Sequence, residues 1–432
     1  MALGILVEAW RFAGGKPGEI TDERAAGHLL TRVMMDLFSE TVRRNPYPAY
    51  QGMRSSSPIL PEPKSGLWML FDYESVNRAL TDHEAFSSRH GPVEWMIFLD
   101  PPRHSKLRGL VSHAFTPLSI AKLEPRIREL SREFLDATIE RGELDVANDF
   151  AAPLPMAVIA EMLGIPTADR RLFTKWNDAI LNMSYTVPAA GAAALDGVVN
   201  DFRAATAEMD EYLGGLLSDR RASPRPDLLT RLLQAHLDSE RLTQAEILGF
   251  FQLLLLAGSE TTTNLINNSI LCFIECPDQL ARLRAAPELL PSAIEEVLRY
   301  RSPLQWMFRV TRRDVQMHGQ TIPAGKVTLV MLGSANRDPK QFPDADRFDI
   351  TRNPNPHLAF GHGIHFCLGA ALARLEARVA LTELLSRIGE FNLASDLPWE
   401  PRKGLHVHGP TSLPLRFTPS ASRRTRHDVL PP

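Results

Sequence analysis

The sequence predicts a mainly α, helix-rich α+β fold with one large helical region and a small β-sheet region. Three observations lead there. Long stretches place apolar residues at helical spacing with charges between them, segments with strand character are few and short, and Pro and Gly punctuate the second half heavily. Hydrophobic residues make up 44% of the 432-residue chain and charged residues 23%, enough to bury a substantial core. A net charge of -3 gives no footprint for nucleic acid. There are no internal repeats and no long low-complexity linker. One domain over residues 45–418 is therefore expected, with an extension at 1–44 and a Ser-, Arg- and Pro-rich tail at 419–432 expected to be disordered.

The first segment, Met1 to Gly14, is apolar in bias. It contains Glu8 and Arg11 and is too short to span a bilayer, so no membrane anchor is expected; the sparse cysteines suit a reducing, cytoplasmic compartment, and a monomer is expected. Leu67–Phe71 reads as a strand. In Asp100–Arg108, His104 and Arg108 stand four apart, on one face of a helix. Helical spacing then runs through Leu118–Glu140, Ala151–Leu163, Thr167–Met183, Gly197–Leu217 and Leu242–Phe273. The last and most apolar of these is interrupted by Ala257-Gly258-Ser259-Glu260-Thr261-Thr262. Taken alone, such a run marks a kink or close packing. Gly258 nevertheless removes a side chain where something flat could approach, and Thr261 can bond back to the Ala257 carbonyl and loosen the helix. Cys272 and Cys276, one turn apart, read as core thiols. With only three cysteines no disulfide framework is expected.

Ser292–Arg301 reads as a helix carrying Glu296 and Arg299 three apart, a spacing that by itself is ordinary for a surface ion pair. If Leu304–Val310 is extended, Gln305, Met307 and Arg309 share one face, and Trp306 and Phe308 point into packing. Strands are expected at Phe308–Thr311, Val327–Met331 and Leu413–Phe417. Between the last two lies Phe360-Gly361-His362-Gly363-Ile364-His365-Phe366-Cys367-Leu368-Gly369, followed at once by a helical pattern at Ala370–Arg387. Gly361 and Gly363 allow positive φ and a close approach to a flat partner. A thiolate at Cys367 would sit at a helix start, where free amides stabilise negative charge.

This ten-residue loop resembles the haem-binding loop of the cytochrome P450 family, matching F-x-x-G-x-[HR]-x-C-x-G at each fixed position. The likeness extends over nearly the whole chain, from about Asn45 to about Phe417. It implies haem b ligated through iron by Cys367, with Phe360, Gly361, His365 and Gly369 around it. The run at Ala257 and Gly258 matches the family's oxygen groove, [AG]-G-x-[DE]-T-[TS]; the resemblance gives Thr261 and Glu260 the delivery of protons to reduced dioxygen. His104, Arg108, Arg309 and His365 match propionate contacts. Glu296 and Arg299 match an E-x-x-R pair that locks to a downstream arginine and braces the cysteine segment; Arg337, Arg347 and Arg352 are candidates. Pocket walls are expected at the 87–99 loop, 170–200, Leu253–Ala257, Leu304–Met307 and Val407–Thr411. Trp95, Met96, Leu253, Gln305, Met307 and Val407 are singled out there for substrate. Thr311 stands where many members have Ala.

The activity implied is monooxygenation: one atom of O2 enters an apolar, hydrophobic small molecule and the other leaves as water. No flavin or nicotinamide fingerprint follows a strand in a βαβ unit, so electrons must come from NAD(P)H through a separate reductase and a ferredoxin or flavodoxin. A small acidic carrier would suit Arg103, Lys106, Arg374 and Arg378. The rival readings are a peroxide-driven enzyme of the same fold, a haem sensor or carrier without turnover, and a helical binding module without haem. The acid–threonine pair argues against the first two, and the coincidence of four motifs against the third.

Overall fold

Apolar stripes at helical spacing become helices that bury them against one another: α1 (Tyr73–Thr81), α2 (Arg103–Ser112), α3 (Glu124–Asp136), α4 (Pro153–Met162), α5 (Arg170–Tyr185), α6 (Ala192–Ala222), α7 (Gln244–Glu275), α8 (Leu290–Tyr300) and α9 (Ala370–Arg387). The computed structural model describes residues 39–62, 66–89, 95–112, 115–185, 192–237 and 240–420; most of the expected N-terminal extension and tail lie outside them. Proline decides where several helices begin. The pattern over 118–140 splits into Pro117–Ala121 and α3, because Pro125 has no amide to bond and belongs in a first turn, which restarts the helix at Glu124. Pro153 does the same for α4, behind a π-helical turn at Val146–Ala151. The Ala370–Arg387 helix has the expected bounds.

The central helix, α7, is held at its start by a reciprocal cap. The Glu246 amide donates to Thr243 Oγ1 at 3.2 Å, and the Thr243 amide donates to Glu246 Oε2 at 2.9 Å. It ends where Pro277 follows Cys276. Between these ends α7 packs on α4, α5, α8 and α9. One large core joins Tyr47 to Phe417 around it, and a smaller one lies between α1 and the main sheet.

That sheet has five short strands in the order Ile59–Pro61, Trp68–Leu70, Val327–Val330, Met307–Thr311, Phe86–Ser87. Val327–Val330 runs parallel to Trp68–Leu70 and antiparallel to Met307–Thr311, which sets Val330 opposite Met307. A three-stranded sheet joins Ile388–Leu393, Pro414–Pro419 and Glu143–Asp145. No helix among the described residues is long and apolar enough to cross a membrane.

The pair on α8 is no surface bridge. Glu296 and Arg299 are both 0% exposed and meet through two bonds of 2.8 Å. Arg299 also donates to the carbonyls of Asn336, Ala345 and Arg347 at 3.0, 2.7 and 3.0 Å. Glu296 in turn receives Arg352 Nε at 3.2 Å, the Asp349 amide at 3.0 Å and Asn355 Nδ2 at 3.1 Å. The downstream arginine is therefore Arg352, not Arg337. Arg337 stacks on Tyr300 and Tyr47 and pairs with Asp346 at 2.8 Å. This network fixes the irregular chain from 336 to 355, and the Leu358 amide, tied to Asn336 Oδ1 at 2.7 Å, carries the constraint to the cysteine loop. Arg299→Ala would leave Glu296 buried without its main cation. It should cost about 3–5 kcal/mol of stability, against less than about 1 kcal/mol for Arg126→Ala at an exposed bridge, measured by equilibrium denaturation.

Candidate active site

A cavity of about 290 Å³ opens between α7, the cysteine loop with the start of α9, α2 and the strand Met307–Thr311. Cys367, Phe360, Gly361, His365 and Gly369 line one side, and Ala257, Gly258, Glu260 and Thr261 line the other. His104, Arg108 and Arg309 stand at one end. Trp95, Met96, Leu253, Met307 and Val407 supply apolar wall. Segments far apart in sequence thus meet in one space. His90–Glu94 of the expected 87–99 wall lie outside the described residues.

Local backbone chemistry presents the thiol. Gly361 and Gly363 have φ of 70° and 71°, and a Cβ on Gly363 would come within 2.8 Å of the Leu80 carbonyl oxygen in α1. Only glycine lets the loop lie this close to α1. The Cys367 amide donates to the Phe360 carbonyl at 2.8 Å, closing the loop. Burial raises the Cys367 thiol; the Gly369 amide and the charges of Arg108 and Arg374 oppose that rise. Arg374 lies over the Phe360 ring at 4.5 Å and pairs with Glu295 at 2.7 Å.

The basic end holds more donors than acceptors. His104 is 1% exposed, and neither of its ring nitrogens has a partner among the described residues; His365 Nε2 has none either. The two rings lie 4.1 Å apart. Burial first, then the charge of Arg108, lowers His104 to about 4. Burial and Arg309 lower His365 to about 2, so both are neutral near pH 7. Arg309 is 3% exposed and donates to the Phe308 carbonyl at 2.8 Å; burial lowers it to about 10. Arg108 donates to the Phe366 carbonyl. A buried cation with neutral donors around it calls for an anion with several acceptor atoms. A flat cofactor with two carboxylates at this end and a soft ligand from Cys367 fits that donor set, as haem would.

On α7, Thr261 Oγ1 donates to the Ala257 carbonyl at 2.8 Å, as its position suggests. The helix nonetheless runs unbroken, so the loosened turn expected here is absent. Gly258 also has a second reason to be glycine: a Cβ there would come within 2.8 Å of Ile159 Cδ1 on α4. Glu260 is 6% exposed, 3.1 Å from Arg402 Nε and 3.0 Å from Asn264 Nδ2. Sequence reasoning missed Arg402, which comes from an irregular loop without local pattern. It also missed Glu376 on α9, which is 1% exposed and in the cavity wall. Burial pushes the Glu376 carboxyl up to about 8, against a hydrogen bond with Thr262. Its signal was there: Glu376 follows Leu372 by four, a charge on the apolar stripe.

Gln305 is the expected wall residue that the cavity excludes. Regular strand begins only at Met307. Before it the Gln305 amide donates to the His406 carbonyl at 2.8 Å and its carbonyl accepts from Gly333 at 3.0 Å. Its side chain is 0% exposed, packs on Gly333 and donates to the Ser302 carbonyl at 2.6 Å. Two-residue alternation therefore fails through Trp306, and Phe308, assigned to packing, joins Met307 in the cavity wall.

Residues 65–396 match the family model described as Cytochrome P450. The chain is 41% identical over 392 residues to Cytochrome P450 109 of Bacillus spizizenii, covering 89% of this chain and 95% of that one. It is 38% identical over 405 residues to a Vitamin D(3) 25-hydroxylase of Pseudonocardia autotrophica, covering 90% and 97%. The crystal structure of CYP109E1 from Bacillus megaterium in complex with testosterone superposes with a TM-score of 0.82 at 37% identity, over 88% of this chain and 99% of that one.

Two outcomes follow from the geometry. Removing a charge-assisted bond of about 1.5–3 kcal/mol in Arg309→Leu should weaken haem retention on the order of 10- to 100-fold, read as the rate of haem loss to a scavenging apoprotein. Met307→Ala should change the spectral response to a panel of apolar ligands, whereas Gln305→Leu, outside the cavity, should leave the ranking of that panel intact.

Proposed function

The chain belongs to the cytochrome P450 family, whose members are haem-thiolate monooxygenases, and we propose that it hydroxylates an apolar small molecule with one atom of dioxygen on haem b held by Cys367. The supporting observation is that a lone thiol and an acid–hydroxyl pair line opposite sides of one apolar cavity whose end carries unpartnered donors. When bound, thiolate-ligated haem supplies the redox centre at which dioxygen is reduced and split. The protein's own residues do the rest. Arg309, Arg108, His104 and His365 hold the carboxylates. The Gly369 amide tempers the basicity of the sulfur. Thr261 offers a hydroxyl toward the cavity and Glu260 a titratable carboxyl one residue before it, the pairing that proton delivery to reduced dioxygen requires.

The substrate is read from the wall. Trp95, Phe98, Leu253, Leu304, Met307 and Phe308 offer contact area and few hydrogen bonds, which selects for shape and apolar surface. A relative that hydroxylates vitamin D(3) and a related structure holding testosterone make fused-ring lipids the first probes. Electrons are proposed to come from NAD(P)H through a reductase and a small acidic ferredoxin or flavodoxin meeting the cysteine-loop face, where Phe366 is 40% exposed beside Arg108. Of the basic residues considered for that contact, Arg103, Arg374 and Arg378 are engaged by Glu246, Glu295 and Glu124 within the chain, which weakens their claim as docking charges.

The deciding measurement is the Soret band of the reduced, carbon monoxide-bound protein. It should lie at the long-wavelength position of thiolate ligation and leave it in Cys367→Ala. Turnover of a spectrally responsive steroid should need NAD(P)H, reductase and ferredoxin rather than hydrogen peroxide, and Thr261→Ala should divert reducing equivalents to free peroxide. Full coupling in Thr261→Ala, or peroxide-only turnover, would refute the proton-delivery assignment.

A further inference from the structure

Along one face of α7, Glu260, Asn264 and Asn268 follow at four-residue spacing, with Asn267 beside the last, and none is more than 6% exposed. The chain from 401 to 410 lies along this face. Arg402 reaches Glu260, a Cβ on Gly409 would come within 2.0 Å of Asn264 Oδ1, and the His408 carbonyl accepts from Asn268 Nδ2 at 2.9 Å. The asparagines have hydrogen-bonding capacity left over. Asn264 uses Nδ2 on the Glu260 carbonyl and Oε1 at 2.8 and 3.0 Å, and Asn268 uses Nδ2 on the His408 and Arg301 carbonyls. Asn264 Oδ1, Asn268 Oδ1 and both amide atoms of Asn267 find no partner among the described residues. His408 Nδ1 and Arg301 Nε and Nη1, at the far end of the same seam, find none either.

Buried orphan atoms are uncommon in folded proteins, and several along one seam are what ordered water in the gaps beside the direct contacts would satisfy. The row also leads somewhere. Arg301 lines a second cavity of about 480 Å³ together with Arg44, Tyr47 and Trp399, and His408 Nε2 lies 3.1 Å from the Arg44 carbonyl. A shorter way from Glu260 to solvent passes Arg402 and the exposed Asp178, and it is the competing route that the test below separates.

We propose that Asn264, Asn267 and Asn268 hold a file of water between α7 and the 401–410 loop, and that this file carries protons from the second cavity to the carboxyl of Glu260. Each proton Glu260 gives up is replaced by the nearest water, which regains one from the next, so bulk solvent is the source and no other reactant is needed. The inference rests on the proposed role of Glu260; the asparagines are positioning residues, acting through water.

Two measurements test it on the haem-loaded protein with reductase and ferredoxin. A high-resolution crystal structure should place waters on Asn264 Oδ1, Asn267 and Asn268 Oδ1; a dry seam overturns the proposal, whether or not any variant folds. Asn268→Leu should lower coupled product formation about ten-fold or more and raise the H2O/D2O rate ratio. Asn268→Ser, which leaves room for water, should recover both. A folded Asn268→Leu at the original rate and isotope ratio, with Glu260→Gln impaired, means protons pass Asp178 and Arg402 and defeats this inference alone. An unimpaired Glu260→Gln defeats the reading of Glu260, and this inference with it.

Discussion

Buried donors without acceptors at one end of the cavity set the terms for the rest of the molecule. His104, Arg309 and Nε2 of the half-buried His365 are withdrawn from water, and the described residues supply almost nothing for them to bond. Desolvating such groups costs free energy that packing alone does not return. The cost is tolerable because a ligand with carboxylates at that end would provide the missing acceptors. On the proposed reading folding and cofactor binding are coupled here, as they are wherever a site is complete only when filled. The same logic explains the rigidity around Cys367. A soft ligand must be offered at a fixed place, and the Gly363–Leu80 approach, the Phe360–Cys367 bond and the pinned 336–358 segment remove the loop's freedom to move away.

The bracing itself shows why burial, not spacing, decides the meaning of an ion pair. Glu and Arg three apart on a helix are common and worth little at a surface. At 0% exposure the same two side chains become expensive unless every lone pair and N–H is used. Here Glu296 receives Arg299, Arg352, Asn355 and a backbone amide, while Arg299 feeds three carbonyls of a segment with no regular structure. An irregular segment has no ladder to satisfy its own carbonyls. A buried guanidinium does it instead, and in doing so dictates the path of the chain into the cysteine loop.

Periodicity was the legible part of this fold. Helix positions, the strands at Trp68–Leu70 and Val327–Val330, and the glycine requirement at 361 and 363 follow from residue types alone. Trouble came where tertiary contacts override local pattern. Extending two-residue alternation back to Gln305 places it in the cavity, whereas a bond to the His406 carbonyl and one from the Gly333 amide hold that stretch out of strand geometry. Arg337, Arg347 and Arg352 are equal candidates for the partner of Glu296 by sequence, and only the folded chain singles out Arg352. Gly258 reads both as close packing and as clearance for a flat ligand, and only the folded chain shows what it packs against, Ile159 on α4. Glu376 could have been found, since a carboxylate on an apolar helical face is a departure that asks for a reason. Arg402 could not, because nothing in an irregular loop announces which helix it will lie against.

The two sides of the cavity divide the labour by their polarity. Toward the cysteine loop, Arg108 and Arg374 surround the thiol with positive charge, and an apolar ring at Phe366 reaches the surface. The charges favour a negatively charged sulfur. On the other side the outer face of α7 is rich in amides and hydroxyls that are neutral and can both donate and accept. Neutral, two-way groups are the ones through which protons can be passed on without fixing a charge; a lysine or arginine in their place would be a terminus. Electrons and protons must reach the same small space without the route of one short-circuiting the other. On the proposed reading electrons arrive from the Cys367 side and protons from the α7 side, with the haem between the two. A substrate seated against Trp95, Leu253 and Phe308 displaces water from the cavity, so on that reading protons have reason to arrive from behind Glu260 rather than across it.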